Sequence, residues 1–538
     1  MHKNLRRIIY LVTILIVVVF STVGCNYNNN PKINDNNQST NIPGEEVENT
    51  FEGTVISLSD NGIQVDEHPA ATDTNNAVYI GADIVYYEEG HDDTYGDGSK
   101  EDSHSADEAK KHTVITITQP GEYKVTGELS YGQIAIDLGE DAKENSEAVV
   151  TLILDDANIN CTVAPAIVVY NAYESGSDDV ETATYNVDTT NAGFRLVISD
   201  NSTNVVNGAY VAEIYKEGTT DKLHKYDAAI ESKVSFNIDG ETLDNGKLTV
   251  NATNEGIESG LHLTINGGEI TINSSDDSIN TNEDGVSVLT INGGIITCDS
   301  GNGNEGDGID SNGYIVINGG YTIASANPKS KDSGIDSDLG IYINGGTLLA
   351  TGNMYDKISS DSTQNFMVLG FKDLKSINDL ILIKDSDGKP FTAFNSVNDY
   401  TIAVFSNPDL TDGEYTLYEV SSVTGDLNGS IYTNITDYKD AKQLQYTSIG
   451  MMGMGNGMMK PDSGEAPPDG QVPPDGKAPS GMQRPPDGNI PNGGARPENM
   501  ERPDVNNGTG VASEPSTIFN LTKSSYTFSG ISTSTENK

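Results

Sequence analysis

The motif Ile-Asn-Gly-Gly occurs at Ile265-Asn266-Gly267-Gly268, Ile291-Asn292-Gly293-Gly294, Ile317-Asn318-Gly319-Gly320 and Ile343-Asn344-Gly345-Gly346, with a constant step of 26 residues. A unit this short cannot enclose a core by itself and must bury its apolar face against the next copy. A second column precedes the first, at Glu255-Gly256-Ile257-Glu258, Asp277-Ser278-Ile279-Asn280, Asp307-Gly308-Ile309-Asp310 and Ser333-Gly334-Ile335-Asp336. A degenerate earlier copy runs through Ala229-Ile230-Glu231 and Phe236 to Gly240. Between the columns apolar residues alternate, as in Leu261 to Ile265 and Ile315-Val316-Ile317, the period of a strand with one buried face. No helical stripe competes. Strands joined by Gly, Asn and Asp turns predict an all-β chain wound as a parallel β-helix, a solenoid of stacked coils. Glycine pairs supply positive φ at the coil corners. Asn266, Asn292, Asn318 and Asn344 then lie about 4.8 Å apart in one column and form an asparagine ladder.

Similar strand spacing extends upstream to Val114, so residues 113–352 are assigned to the β-helix. At roughly 24 residues per coil this gives about ten layers. Residues 51–112 are read as N-terminal strands and a cap, and 353–449 as C-terminal coils and a cap. Residues 1–24 carry His2, Lys3, Arg6 and Arg7 ahead of an uncharged run, Ile8 to Phe20, and end in small residues before Cys25. This is the pattern of a lipoprotein signal peptide, with Cys25 as the lipidation site. Thr22 stands where Leu is usual, which leaves an ordinary secretory signal or an uncleaved anchor as the alternative. Either route places the body of the chain outside the cytoplasm, and the lipid would hold it on the outer face of the cytoplasmic membrane. Residues 25–50 read as a disordered tether. Residues 450–512 hold seven of the ten Met and three Pro-Pro-Asp-Gly units, a disordered low-complexity segment. In the tail, 513–538, the strand-like piece Ser525 to Ile531 either docks back or stays apart.

With 31 Lys plus Arg against 80 Asp plus Glu, the formal charge is −49, a field that repels nucleic acid. Three Cys are too few for a disulfide scaffold. Residues 227–352 alone contain 19 acidic residues against four Lys and no Arg. If the column isoleucines point inward, acidic residues face outward in register. Like charges one layer apart are costly unless a cation intervenes. Hard oxygen donors without Cys or clustered His select Ca²⁺ over Zn²⁺. The candidate ligands of Ca²⁺ between adjacent coils are Asp276, Asp277, Asp307, Asp310, Asp332 and Asp336, with Glu255 and Glu258. A solvated acidic face whose members merely end strands is the alternative. With no Trp in the chain, any sugar-stacking surface must be built from Tyr, and Tyr314, Tyr321 and Tyr342 are the candidates. Gly301-x-Gly303-x-x-Gly306 fits the dinucleotide pattern but no helix follows, so it is a turn. Asp93 to His104 starts like a calcium loop but ends on His where a bidentate Glu is needed.

Gly121 to Leu129 followed by Tyr131-Gly132-Gln133-Ile134, the strand and turn of Val149 to Asn158, the alternating Gly-Ile-Asp-Ser and Ile-Asn-Gly-Gly, the segment Thr401 to Tyr418 and the tail after residue 450 together resemble secreted clostridial carbohydrate-binding β-helix proteins. The resemblance spans roughly residues 78 to 450. It implies a right-handed, pectate-lyase-like β-helix with bound calcium that binds cellulose and acidic polysaccharides such as polygalacturonate, without demonstrated catalysis as a class. It carries the calcium role onto the Asp-Gly-Ile-Asp positions only, and no sugar-contacting residue.

An anionic surface meeting an anionic glycan needs a bridging cation. A calcium-dependent lyase would also need an Arg or Lys base beside the metal, and the acidic columns carry no such residue in register. The expectation is therefore a non-catalytic, surface-anchored, Ca²⁺-dependent binder of acidic or cellulosic polysaccharide. The alternatives are a structural or adhesive rod, or a polysaccharide lyase or glycoside hydrolase.

Overall fold

The computed structural model describes residues 51–449 and 515–534. The expectations for the signal segment, Cys25, the tether and the 450–512 segment lie outside the described residues. The chain divides into Met1–Glu52 and Gly53–Lys538, and the architecture that follows is that of the second unit. It is all-β. Its helical segments, among the described residues, are a single turn at Ala106–Ala109 and a 3₁₀ turn at Glu140–Glu144.

Each repeat contributes short strands to three stacks. The first contains Thr113–Ile117, Gly132–Asp137, Ile167–Asn171, Ala228–Ser232, Glu255–Ser259, Ile279–Thr281 and Ile309–Ser311, all parallel in that order. The second includes Phe236–Gly240, His262–Ile265, Val288–Ile291, Tyr314–Ile317 and Gly340–Ile343. The third runs through Lys247–Ala252, Glu269–Asn273, Ile295–Asp299, Tyr321–Ser325 and Thr347–Gly352. Registers are strict: Ile257 faces Ile279 and Ile279 faces Ile309, while Ile265, Ile291, Ile317 and Ile343 align likewise. All of these isoleucines are fully buried in one continuous core. The degenerate copy is in register too, with Glu231 paired to Glu258.

The first stack has seven parallel strands and is extended by backbone pairing at 333–336, where Gly308 and Ile309 N–H donate to Ser333 and Gly334 carbonyls. That is fewer than the ten layers expected. Residues 172–192 and the hairpin of Val211–Tyr215 with Lys222–Tyr226 leave the stack as insertions and use up chain without adding a layer.

At the corners the two glycines have different duties. Gly294, Gly320 and Gly346 take φ of +84°, +75° and +77°, a region that L side chains avoid. Gly293, Gly319 and Gly345 have ordinary φ, but a Cβ there would lie 2.2–2.3 Å from the carbonyl oxygen of Asn266, Asn292 and Asn318 one layer below. The asparagine side chains hydrogen-bond in sequence: Asn292 Nδ2 to Asn266 Oδ1 at 2.8 Å, Asn318 to Asn292 at 3.0 Å and Asn344 to Asn318 at 3.1 Å. Asn266 Nδ2 continues the ladder to Asp239. A second ladder, Asn273 to Asn251 to Asn207, stands at another corner.

The sheets are mixed, because antiparallel pairing replaces the repeat at both ends. Val78–Gly81 pairs antiparallel with Thr113–Ile117. Beyond the last repeat, Tyr400–Ser406 runs antiparallel to both Thr347–Gly352 and Phe366–Lys375. The tail strand Thr527–Thr533 docks back, parallel to Phe366–Lys375 and antiparallel to Lys442–Gln445 and Ser448–Ile449. Phe371, Phe394, Phe405, Phe519 and Phe528 fill a separate C-terminal core.

Because the Gly319 clash is with backbone, Gly319→Ala is expected to destabilise the fold by roughly 1–3 kcal/mol, the range for overpacking. Denaturant unfolding of the variant beside wild type measures it, and an unchanged midpoint would contradict the close approach.

Candidate functional site

The strict register of the first stack determines where its acidic residues sit. Since Ile257, Ile279 and Ile309 align, Glu255, Asp277 and Asp307 occupy equivalent positions, and Glu258, Asn280 and Asp310 form the neighbouring column. The loops that enter these strands complete a cleft of about 460 Å³, into which Glu255, Asp276, Asp277, Asp307, Asp310 and Asp332 project. Asn280, Asn282, Asn312, Asp284 and Glu305 add oxygen atoms to its wall, and Lys225 is its one cationic lining residue.

Two carboxylate triads are close enough to share an ion. Oxygen atoms of Asp307, Asp310 and Asp336 all lie within 4.8 Å of one another, as do those of Asp227, Glu255 and Glu258. The candidate ligands are thus brought together. Glu258 and Asp336 enter through the triads, while Asp276, Asp277 and Asp332 line the cleft between them.

The outward columns are not the solvated face that stood as the alternative to a cation site. Glu258 and Glu255 are only 1% and 7% exposed, because the inserted hairpin ending at Tyr226 lies over that face. Lys233 Nζ donates to the Lys225 carbonyl at 2.9 Å and sits 5.1 Å from the Tyr226 ring centroid. Lys233 also pairs with the fully buried Glu231 and lies 3.9 Å from Glu258, and Lys225 pairs with Asp227.

Some cleft carboxylates are held from layer to layer by the backbone. Asp307 N–H donates to Asp277 Oδ1 at 2.6 Å, Ser333 N–H to Asp307 Oδ1 at 2.5 Å, and Gly306 N–H to Asp332 Oδ2 at 2.7 Å. Others are half satisfied: Glu255 Oε1 accepts from Asn280 Nδ2 at 3.3 Å and Glu258 Oε1 from Asn282 Nδ2 at 3.0 Å, while Glu255 Oε2, Glu258 Oε2 and Asn280 Oδ1 are buried with no hydrogen bond. Burial is the main reason that the acid groups resist ionisation, and neighbouring carboxylates add to it. Asp276 is pushed up to about 6 by burial and by Glu305, Asp310 to about 7 by burial and Asp338, and Asp336 to about 9 by burial and Asp356. Glu255, Asp277 and Asp307 are raised well above the carboxylate range by burial and by Glu258, Asp310 and Asp336 respectively. Orphaned oxygens, a donor set of hard oxygens only and mutual repulsion all fit a divalent cation such as Ca²⁺.

Sequence reasoning missed Asp227, Lys225 and Asp356. The column position of the degenerate copy is Ala228, opposite Glu255, so Asp227 stands one residue out of the pattern. Asp356 lies in the loop after the last repeat, where Ser337 N–H reaches its Oδ2 at 3.3 Å, and no periodicity points to it.

The tyrosine set needs correcting. Tyr314 and Tyr342 share the outer face of the second stack, with ring centroids 6.2 Å apart. Tyr321 does not join them: it belongs to the third stack and packs against the C-terminal core. The ring of Tyr342 is already stacked on Tyr185, at 4.0 Å and 22°, by the insertion that holds Tyr185.

The family model of carbohydrate-binding domain-containing proteins matches residues 111–380, just over half of the chain. The chain belongs to that family. A solved structure, described as the polysaccharide lyase-like protein from C. thermocellum in a gadolinium derivative, aligns at 21% identity over 57% of this chain and 90% of that one, with a TM-score of 0.33. No curated protein matches.

Groups with raised folded pKa values hold protons that the unfolded chain, with carboxyls near 4, has released. Stability in chelator should therefore fall as pH rises through the folded values. The window from pH 6.5 to 9 spans Asp310 at about 7, Glu231 at about 8 and Asp336 at about 9. It also avoids the opposite contribution of His262, lowered to about 4 by burial. Melting scans in EDTA are expected to show a falling midpoint across that window, and a flat or rising profile would refute the reading.

Proposed function

We propose that this chain is a non-catalytic, Ca²⁺-dependent binder of acidic polysaccharide such as polygalacturonate, displayed outside the cell on a lipid attached to Cys25. In this reading the three parallel stacks wind as a right-handed β-helix. One cation would be held by Asp307, Asp310 and Asp336 and another by Asp227, Glu255 and Glu258, with Asp276, Asp277 and Asp332 lining the cleft between. When bound, the cation supplies positive charge that an anionic sugar can meet. The observation that carries the proposal is the carboxylate cleft, with its unpartnered buried oxygens. Membership of the carbohydrate-binding family supports a saccharide as the ligand.

What the chain's own residues do favours holding over cleaving. The cleft's one amine, Lys225, is desolvated, which pulls its pKa down, but Asp227, Glu258 and Glu255 outweigh this and hold it above the ordinary lysine value. A group kept protonated and ion-paired is a poor general base for abstracting a sugar-ring proton.

Polygalacturonate pull-down with Ca²⁺ is expected to capture the protein and release no unsaturated product, with capture abolished by EDTA. Asp307→Asn with Asp310→Asn should weaken capture at least about tenfold, the effect of roughly 1.4 kcal/mol. Ca²⁺ at about 100 times its dissociation constant should stabilise the wild-type fold by about 2.7 kcal/mol. Capture indifferent to EDTA, or steady product release, would overturn the reading. For the anchor, fatty-acid labelling of the expressed precursor should disappear in Cys25→Ala, and a wild-type chain that takes up no label would refute it.

A further inference from the structure

A second cavity, of about 540 Å³, lies away from the acidic columns, between residues 84–95 and the hairpin of Val211–Tyr215 with Lys222–Tyr226. This is within the roughly 300–1,000 Å³ typical of small-ligand clefts. Its wall is preformed. Gly96 bridges Ile214 in antiparallel fashion, and a Cβ at Gly96 would fall 1.8 Å from the Glu213 carbonyl oxygen. Tyr215 N–H donates to the Tyr95 carbonyl at 2.7 Å and Asp97 N–H to the Glu213 carbonyl at 2.9 Å. On the other side His104 N–H donates to the Tyr87 carbonyl at 2.8 Å, and Tyr87 Oη to the Gly98 carbonyl at 2.9 Å. The loop is thus held from both sides before any ligand arrives.

The chemistry of the lining is opposite to that of the acidic cleft. Tyr86, Tyr95, Ile214 and Leu223 supply aromatic and aliphatic surface. Tyr95 is fixed by stacking on His91 at 4.0 Å and by Tyr87 at 5.2 Å. Leu223 is 49% exposed at the rim, an unusual site for a leucine without a partner. Polar acceptors stand beside this surface: Glu88 takes hydrogen bonds from Tyr86 Oη at 3.0 Å and from His91 Nε2 at 2.7 Å, and Glu217 also lines the cavity. A carboxylate accepts up to about four hydrogen bonds, so Glu88 retains capacity for a ligand hydroxyl. No Lys or Arg lines the cavity.

We infer that this cavity is a second saccharide site, which takes a neutral pyranose and works without a cation. A sugar ring presents an apolar C–H face that suits tyrosine and leucine, and a rim of hydroxyl donors that suits carboxylates. A uronate would meet Glu88 and Glu217 with no Lys or Arg beside them, which disfavours the acidic sugars of the first site here. The inference rests on the polysaccharide-binding reading but uses none of its metal ligands.

The test is calorimetric titration of the full chain in EDTA with cellotetraose, mannotetraose, xylotetraose and tetragalacturonate. At least one neutral tetrasaccharide should bind, with affinity unchanged by Ca²⁺, and tetragalacturonate should not bind in EDTA. Tyr86→Ala and Leu223→Asp should each weaken neutral-sugar binding about tenfold, in line with the loss of one stacking partner, while polygalacturonate capture in Ca²⁺ stays as in wild type. Leu223 is exposed enough that its variant folds even if Tyr86→Ala does not. No neutral-sugar binding in EDTA, or binding indifferent to Leu223→Asp, overturns the inference. Retained polygalacturonate capture in that case leaves the first site standing, and neutral binding without such capture sinks the acidic-glycan reading alone.

Discussion

The repeat region depends on stacking equivalent residues directly over one another. In-register parallel pairing, with layers about 4.8 Å apart, places like on like, and the result depends on what the residue can do with a copy of itself. Isoleucine gains, since Ile257, Ile279 and Ile309 share one dry core. Asparagine also gains, since its amide is both donor and acceptor, and the column from Asn266 to Asn344 satisfies itself. An ionised carboxylate accepts only. The same register that closes the asparagine ladder therefore stacks Glu255, Asp277 and Asp307 in a buried column, where burial first and neighbouring carboxylates second make their acid groups hold on to protons.

The two ends of the acidic cleft manage that repulsion differently. At Asp227, Glu231 and Glu258, two lysines enter the buried layer and supply the missing charge. At Asp307, Asp310 and Asp336, among the described residues, no lysine or arginine makes an ion pair, and backbone N–H groups of Ser333 and Ser337 donate to Asp307 and Asp336. Removing a single lysine would leave carboxylates unpaired in a dry environment, a costly change. The other end has no such resident charge, so a cation from solution has most to offer there.

Much of the stack was legible from the sequence because a constant 26-residue step translates directly into register. The asparagine column and the isoleucines before it follow from that step, while the convergence of Asp276, Asp277, Asp307, Asp310 and Asp332 on one cleft follows from the second motif column, which keeps its register although its spacing varies. Burial of Glu255 and Glu258 was not legible, because the covering hairpin of Val211–Tyr215 with Lys222–Tyr226 lies outside the repeat. For the same reason Lys225, Asp227 and Asp356 carry no periodic mark. Tyr321 illustrates a different limit: it shares residue type with Tyr314 and Tyr342, but seven residues after Tyr314 the chain has passed from one stack into the next. Whether the tail strand docked could not be read at all, since its pairing partners, Phe366–Lys375 and Lys442–Gln445, are remote in sequence.

The division of labour between repeat and insertion has a physical basis. A repeat can only reproduce one environment along its length, which suits a column of charge but offers little discrimination among sugars. Shape and mixed polarity need side chains that stand outside the period. Both insertions supply these: residues 172–192 bring Tyr185 onto Tyr342 and Tyr314, and the hairpin closes one wall of the aromatic cavity. The hairpin acts at both places, since Lys225 on its second strand enters the acidic cleft while Leu223 and His224, two residues and one residue earlier, line the aromatic cavity. One short strand outside the period thus furnishes residues to two sites of contrary chemistry.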